Sequence, residues 1–455
     1  MKHTVFALPK HTLPGILAIV LLTVFVPCCT SVEKVDAPPL IRQMDRLLDK
    51  KEYFHLETQL NLHTRELSAP RRLYFAAILD NAFNRNASCV ARIDSFMNQT
   101  AAGLPDSLGG HADSLKGSAD SLVAKLLRVQ GDSYFKMGQY AAAARTDSLL
   151  VHRYPKAIDS STLADAKNVW LIRNALRNES PQEVVPGTGG KVTWSRDSLG
   201  LIEIPLQSHT QTVNAIFDTR ANISSITRSY AEKLHLHLMD VQYSESAGIT
   251  GNQFKVGLGV ADSLYIGQVL IRHAIFQVMP DSILYLAPIH FQINIIVGMT
   301  IIADLQEVQV YNDGRMVIPP LLTPGDLHNM AFDGLDPVLL LSTAKDTLLY
   351  HFDSGAWGTI LYATWFDAHR AVVLRSAIKR RTGFAGAGGM QTKDIYLLPS
   401  FQLSLGGKTV TIDSVSILTE KITPEERFYG NVGQDFMQQF KEFTFNFRYM
   451  YVKGI

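Results

Sequence analysis

Cysteine is scarce in this chain of 455 residues. Three cysteines occur, and two of them, Cys28 and Cys29, are adjacent near the start, which leaves Cys89 as the one thiol of the remaining sequence. A disulfide scaffold needs several paired cysteines, and a cysteine-rich zinc module needs several clustered ones. Both classes of protein are therefore excluded.

An excess of charge of one sign is also lacking. Lysine and arginine total 43 and aspartate and glutamate total 42, so the net charge is +1 with histidine neutral. Because a nucleic-acid partner would require a basic stripe, none is expected. Hydrophobic residues make up 46% and charged residues 19%, which excludes wholesale disorder. The length suggests about three domains.

The apolar run near the N-terminus is too short to span a bilayer. It covers residues 15–27, follows Lys2 and Lys10, and falls short of the roughly 20 residues that a transmembrane helix needs. A cleaved secretory signal over residues 1–29 is predicted. Its end, V-P-C-C-T-S, resembles the lipobox of bacterial lipoproteins, with Cys29 as the lipidated residue. The resemblance implies export to the bacterial cell envelope and a lipid anchor in a membrane, facing the periplasm or the surface; simple cleavage into the periplasm is the alternative.

Residues 35–180 have apolar side chains at helical spacing, which predicts an α-helical domain. Residues 126–155 resemble one tetratricopeptide repeat (TPR), a helix-turn-helix unit of about 34 residues. The repeat's favoured positions are occupied by Gly131, Tyr134, Gly138, Tyr140, Ala143 and Pro155. A TPR-like domain implies a possible protein partner. An ordinary helical bundle is an equally good interpretation.

Beyond a turn-rich linker at residues 181–191, the hydrophobic period changes from helical to two. Apolar side chains alternate with polar ones or glycine at two places, Phe254 to Val260 and Phe443 to Tyr451. Such alternation is typical of half-buried strands. The fold class predicted is therefore multidomain α + β, with a helical domain followed by an all-β region.

Several residues of the β region have a counterpart at one fixed distance along the chain. Asp218 in A-I-F-D-T-R and Asp353 in Y-H-F-D-S-G are 135 residues apart. The same offset separates three further pairs: Gly251 and Gly386, Gly298 and Gly433, and the strand starts Val308 and Phe443. Chance is a poor explanation for four matches. Two copies of one β unit are predicted, at residues 192–320 and 333–455, joined by a Pro-rich linker at 321–332.

The duplicated pattern resembles the aspartic peptidases, in their retropepsin-like and pepsin-like bilobal forms. In that family each lobe supplies one Asp from a hydrophobic-Asp-Thr/Ser-Gly turn, followed by a glycine-bearing flap and a hydrophobic-hydrophobic-Gly segment. The resemblance implies a catalytic pair, Asp218 and Asp353, supported by Thr219, Ser354, Gly355, Ser224 and Thr359. It also implies flap glycines Gly248, Gly251, Gly386 and Gly388, and Gly298 and Gly433 packed behind the Asp loops.

Two carboxyl groups held face to face cannot both ionise cheaply, so such a pair shares one proton. The ionised member can deprotonate a bound water, which attacks the scissile carbonyl, while the protonated member polarises that carbonyl. The expected reaction is endopeptidase cleavage of a peptide or protein substrate in the cleft between the lobes. No metal and no cofactor are expected.

Arg220 departs from the family pattern, because it stands where glycine is expected after Asp-Thr, whereas the second unit keeps Gly355. An arginine at this turn is expected to strain the loop or fill the cleft, and its cation to lower the pKa of Asp218. Three alternatives follow: an active enzyme, an enzyme with altered pH preference or specificity, and a catalytically impaired peptide-binding or scaffold lipoprotein on the same fold.

Overall fold

The structure is a computed structural model that describes residues 36–101, 112–185, 187, 189–209, 211–246, 253–386, 389–423 and 426–455. The predicted signal segment and Cys29 lie outside these residues. Helices occupy the N-terminal part of the described chain, and strands make up most of the remainder. None of the described helices is long and apolar enough to cross a membrane.

The N-terminal helices follow one another with short connections. They are α1 (Pro38–Asp49), α2 (Tyr53–Leu62), α3 (Ala69–Ala82), α4 (Asn86–Ala101), α5 (Ala112–Lys136), α6 (Tyr140–Arg153) and α7 (Ser160–Leu176). Chain neighbours pack together, most extensively α3 with α4, α5 with α6, and α6 with α7. Cys89 is fully buried among them, and this burial raises the pKa of its thiol to about 12, so the thiol stays protonated at neutral pH.

The first β unit follows the helices. Its strands are β1 (Glu183–Val184), β2 (Gly190–Thr193), β3 (Ser195–Arg196), β4 (Ile202–Gln207), β5 (Thr212–Phe217), β6 (Ser224–Thr227), β7 (His237–Ser246), β8 (Gln253–Ile266), β9 (Val269–Met279), β10 (Tyr285–Leu286), β11 (Phe291–Gln292), β12 (Ile295–Val297), β13 (Glu307–Tyr311) and β14 (Arg315–Ile318). Two short helices, α8 (Arg228–Lys233) and α9 (Met299–Asp304), interrupt them. The main sheet has the order β1-β9-β6-β12-β5-β4-β8-β7, and β12 runs parallel to β5, with Val297 paired to Phe217.

The second β unit has a sheet of the same kind. Its strands are β15 (Met330–Asp333), β16 (Asp336–Ser342), β17 (Thr347–Phe352), β18 (Ile360–Leu361), β19 (Ile378–Gly386), β20 (Gly389–Leu405), β21 (Lys408–Leu418), β22 (Gly430–Val432), β23 (Glu442–Asn446) and β24 (Tyr451–Gly454), with helices α10 (Ala363–Ser376) and α11 (Gln434–Met437). The order is β15-β16-β17-β22-β18-β21-β20-β19. Strand β22 runs parallel to β17, and Val432 pairs with Phe352.

A third sheet joins the two units, in the order β2-β14-β13-β23-β24. At its centre β13 pairs antiparallel with β23, so that Val310 faces Phe443. The Phe443 ring stacks on Phe352, with centroids 5.3 Å apart.

The half-buried strand predicted from Phe443 to Tyr451 is wrong in two respects. Strand β23 ends at Asn446, and a turn at residues 447–450 leads into β24. Thr444 and Asn446 on the other face of β23 are also buried. On that face Asn446 Nδ2 donates to Glu307 Oε2 (2.8 Å) and to the Thr323 carbonyl (3.1 Å).

The helical domain packs against both β units. One buried cluster combines side chains of α1–α5 with four from the second unit: Ala331, Val338, Leu349 and Phe428. Another combines side chains of α5–α7 with the first unit, including the buried Tyr243 of β7. The outer face of β7 is therefore covered by the helices.

The linkers predicted at residues 181–191 and 321–332 both contain strands. Strand β1 and the start of β2 lie in the first, where they pair with β9 and β14. Strand β15 begins at Met330, before the predicted start of the second unit at residue 333, and it pairs with β16. Turn-rich composition does not reveal pairing of this kind, because it depends on strands distant in sequence.

Candidate active site

Asp218 and Asp353 occupy equivalent positions in the two β units. Each directly follows a fully buried phenylalanine at the end of a strand, Phe217 of β5 or Phe352 of β17. The Asp218 N–H donates to the Val297 carbonyl (3.0 Å), and the Asp353 N–H donates to the Val432 carbonyl (2.9 Å). Both Asp-bearing loops are thus fixed to their sheets in the same way.

Crossed hydrogen bonds link the two loops through the residues after each Asp. The hydroxyl of Ser354 accepts from the Thr219 N–H (3.0 Å) and donates to the Phe217 carbonyl (2.8 Å). The hydroxyl of Thr219 accepts from the Ser354 N–H (3.0 Å) and donates to the Phe352 carbonyl (3.1 Å). These bonds bring the loops of the two units together.

Ser224 and Thr359, six residues past each Asp, bind the glycines predicted behind the loops. The Gly298 N–H donates to the Ser224 hydroxyl (3.0 Å), and the Gly433 N–H donates to the Thr359 hydroxyl (3.2 Å). Both glycines lie against backbone: a Cβ on Gly298 would lie 3.0 Å from the Ser224 nitrogen, and one on Gly433 would lie 2.8 Å from the Ala356 oxygen. Side chains at these two positions would push the Asp loops away.

Gly355 provides space for the carboxyl group of the other unit. A Cβ on Gly355 would lie 2.6 Å from Asp218 Oδ1 and closer still to the other carboxyl atoms. Glycine is therefore required at this position because the Asp218 carboxyl approaches it closely. No left-handed φ is involved, because Gly355 does not adopt a positive φ. The Asp218 carboxyl lies directly against the loop that carries Asp353.

Arg220, the departure from the family pattern, is accommodated without backbone strain, because its φ is not positive. Its N–H donates to Asp218 Oδ1 (2.7 Å), while its guanidinium extends into the second unit. There Nη1 donates to the Tyr362 hydroxyl (3.3 Å) and to Asn431 Oδ1 (3.0 Å), and Nη2 lies 3.6 Å from Asp336 Oδ2. The expectation of a strained loop is wrong.

The pKa of Asp218 is raised to about 7, mainly by burial and secondly by the negative charge of Asp353. Arg220 opposes this rise through its N–H and its charge. The contribution of Arg220 to the pKa of Asp218 therefore has the expected sign, although the net pKa is raised. The guanidinium points toward Asp336 and Asn431, so burial and Asp353 dominate.

Each unit has a long hairpin where a flap is predicted, β7–β8 in the first and β19–β20 in the second. Gly386 ends β19 and pairs with Gly389. The other predicted flap glycines, Gly248, Gly251 and Gly388, lie outside the described residues. Across the described chain, no group of three or more His, Cys, Asp or Glu side chains is arranged to hold a metal ion.

Three residues of this site were missed by reasoning from the sequence: Asn431, Tyr362 and Asp336. Asn431 Nδ2 donates to Asp353 Oδ2 (2.9 Å) and thereby joins Arg220 to the second carboxyl. One signal was available for it. The first unit reads I-I-V-G where the second reads G-N-V-G, so a polar residue interrupts an otherwise apolar strand. Tyr362 and Asp336 carry no such signal.

Residues 204–301 match a family model described as aspartyl protease. The matched segment runs from β4 to α9 and contains Asp218, Ser224 and Gly298. A comparison with curated proteins finds no significant match. The first β unit is thus similar to aspartyl proteases in its sequence.

Proposed function

We propose that this chain is an aspartic-type endopeptidase in which Asp218 and Asp353 form one catalytic pair. The two β units are then the lobes of a duplicated, bilobal domain. The observation that carries the proposal is the set of crossed bonds through Thr219 and Ser354, which holds two Asp loops together from opposite units. The aspartyl protease match over residues 204–301 supports the same reaction class.

The chemistry follows from two carboxyl groups in one buried site. Because the pKa of Asp218 is raised to about 7, the pair keeps one shared proton from acid to neutral pH. The ionised carboxylate removes a proton from a water molecule, and the protonated carboxyl donates a hydrogen bond to the scissile carbonyl. A substrate peptide lies extended between the lobes, beneath the two hairpins, and pairs with their backbone.

The helical domain is proposed to be TPR-like and to bind a protein partner. A groove of about 310 Å³ lies between α6 and α7, and Arg145, Trp170 and Arg177 contribute to its lining. None of the residues that line it belongs to the candidate active site. We also propose export to the cell envelope with Cys29 lipidated, on the evidence of the N-terminal sequence.

Peptide cleavage tests the proposed function. The purified chain is incubated with a diverse peptide mixture from pH 3 to pH 8, and the products are identified by mass spectrometry. We expect cleavage that declines above about pH 7, where Asp218 loses its proton. Asp353→Asn should abolish it. Asp346→Asn, a matched change in the turn between β16 and β17, should not.

Arg220 favours a second candidate function, a peptide-binding protein without catalysis, because it adds a guanidinium beside the carboxyl pair. Folded protein that leaves every peptide intact, yet retains peptides in a pull-down read by mass spectrometry, would establish that alternative. It would also overturn the proposed endopeptidase.

A further inference from the structure

Asn431 lies between Arg220 and Asp353, and its two amide atoms make different bonds. Its Oδ1 lies 3.0 Å from Arg220 Nη1, and its Nδ2 lies 2.9 Å from Asp353 Oδ2. The equivalent position in the first unit is Ile296, which can form neither bond. The two carboxyls therefore have different surroundings although their loops are alike.

The amide orientation of Asn431 is determined by Arg220. A guanidinium has only N–H donors, so the atom of Asn431 that faces it must be the carbonyl oxygen. The NH₂ group then faces Asp353, and Asp353 Oδ2 must accept. An oxygen that accepts an N–H is stabilised as part of a carboxylate, and Asp218 Oδ1 also accepts one, from the Arg220 backbone (2.7 Å). The Asn431 N–H is the stronger donor, because the guanidinium bound to its Oδ1 polarises the amide, so the ionised form of Asp353 is the one stabilised more.

We propose that Arg220 and Asn431 are positioning residues that place the shared proton on Asp218 and keep Asp353 as the carboxylate. This inference rests on the proposed function, since it assigns the two roles within the same pair. The inference also gives Arg220 a role. Its guanidinium orients the Asn431 amide, and this amide makes Asp353 the general base.

Other charged and titratable groups surround this network. Asp336 of β16 faces the guanidinium at 3.6 Å. The Tyr362 hydroxyl accepts from Arg220 (3.3 Å) and lies 3.5 Å from His351 Nδ1 on β17. Burial, with Arg220 and Lys51, lowers the pKa of His351 well below its usual range, so this imidazole is neutral. Beyond Asp336, Lys51 of the helical domain forms an ion pair with Asp333 of β15.

The assignment fixes each proton transfer in the reaction. Asp353 takes a proton from water as the water oxygen bonds to the carbonyl carbon, and Asp218 gives its proton to the carbonyl oxygen, which yields a gem-diol. Asp353 then passes its proton to the amide nitrogen as the C–N bond breaks. Asp218 recovers a proton from one hydroxyl, and a carboxylic acid and an amine leave. One water is consumed, and both carboxyls return to their starting states.

The test measures where the proton lies without using a substrate. The full chain is labelled with ¹³Cγ-aspartate and titrated by NMR, and the two resonances are assigned from their loss in Asp218→Asn and Asp353→Asn. We expect the step near pH 7 on the Asp218 resonance in the unmodified protein. In Asn431→Ala, and equally in Arg220→Met, about half of that step should move to the Asp353 resonance.

Asn329→Ala is the matched control, because Asn329, directly before β15, is also a buried asparagine but bonds to Val452 instead. It should leave the step on Asp218. A step on Asp353 in the unmodified protein, or an unchanged distribution in both Asn431→Ala and Arg220→Met, would overturn the inference. Because the titration needs no turnover, its outcome is independent of the peptide-cleavage result.

Discussion

The hydroxyl groups of Thr219 and Ser354 each accept a hydrogen bond from the other residue's backbone N–H, at 3.0 Å in both directions. The two residues are 135 positions apart and both are fully buried. Each hydroxyl also donates to the carbonyl of the opposite strand. Four bonds thus join the β units at the point where their carboxyls meet.

Removal of one of these hydroxyls should destabilise the protein. Ser354→Ala deletes two bonds and leaves a buried N–H and a buried C=O without partners, so a loss of about 2–4 kcal/mol in the free energy of unfolding is expected. Urea denaturation measures it. Ser225→Ala is the control, since that buried hydroxyl makes one long bond of 3.4 Å. Equal losses in the two variants would contradict a special role for the crossed bonds.

Gly355→Ala should inactivate the site while the protein stays folded. The new Cβ would overlap the Asp218 carboxyl and displace it, and misplacement of a catalytic group by about 1 Å is expected to reduce the cleavage rate roughly 100-fold. The measurement is kcat/KM on the best peptide from the mixture.

Gly358→Ala in the same loop is the matched control. The nearest atom to its Cβ is 3.8 Å away, at Asp435 Oδ2, so normal activity is expected. Full activity of Gly355→Ala would mean that the Asp218 carboxyl does not act from its position beside Gly355.

Reasoning from the sequence found the paired elements of the site, because they recur. Asp218 and Asp353, and likewise Gly298 and Gly433, appear twice at one spacing, and such repetition is visible in one chain. It could not find Asn431 or the direction of the Arg220 side chain, since these differ between the units and depend on contacts between distant segments.

The same limit applies to the fold. Alternating phenylalanines identified β23, yet its end at Asn446 and the burial of its second face do not follow from the local pattern. The strands within residues 181–191 and 321–332 were missed for a similar reason. They are stabilised by pairing with β9, β14 and β16, and their own residues have turn-like composition.

Two buried carboxyls should each lower the free energy of unfolding as the pH rises from about 4 to 7. Burial raises the pKa of Asp304 to about 7, although Gln182 opposes the shift, and burial raises that of Asp336 to about 6. A carboxyl whose pKa is higher in the folded state binds its proton more tightly there, so it stabilises the fold in acid and loses this contribution as the pH approaches the folded-state pKa.

Asp304→Asn isolates one of these groups, because asparagine imitates the protonated carboxyl. Over this pH range the free energy of unfolding should fall less steeply in the variant than in the unmodified protein. The two slopes should differ by about 1.4 kcal/mol per pH unit, which corresponds to one proton. Urea denaturation at several pH values measures the slopes. Near pH 3.5 the two proteins should have similar stability, which serves as the internal control; identical slopes between pH 4 and 7 would contradict the assignment.

Asp218 and Asp353 are proposed to act as one catalytic unit. The most direct test compares the cleavage rates of Asp218→Asn, Asp353→Asn and the double variant. Each single change should lower kcat by about 1,000-fold or more, and the double change should add little, because residues that act as a unit have non-additive effects. Circular dichroism confirms that all three are folded. An Asp218→Asn protein that cleaves within tenfold of the unmodified rate would contradict the claim, since catalysis would then require only one of the two carboxyls.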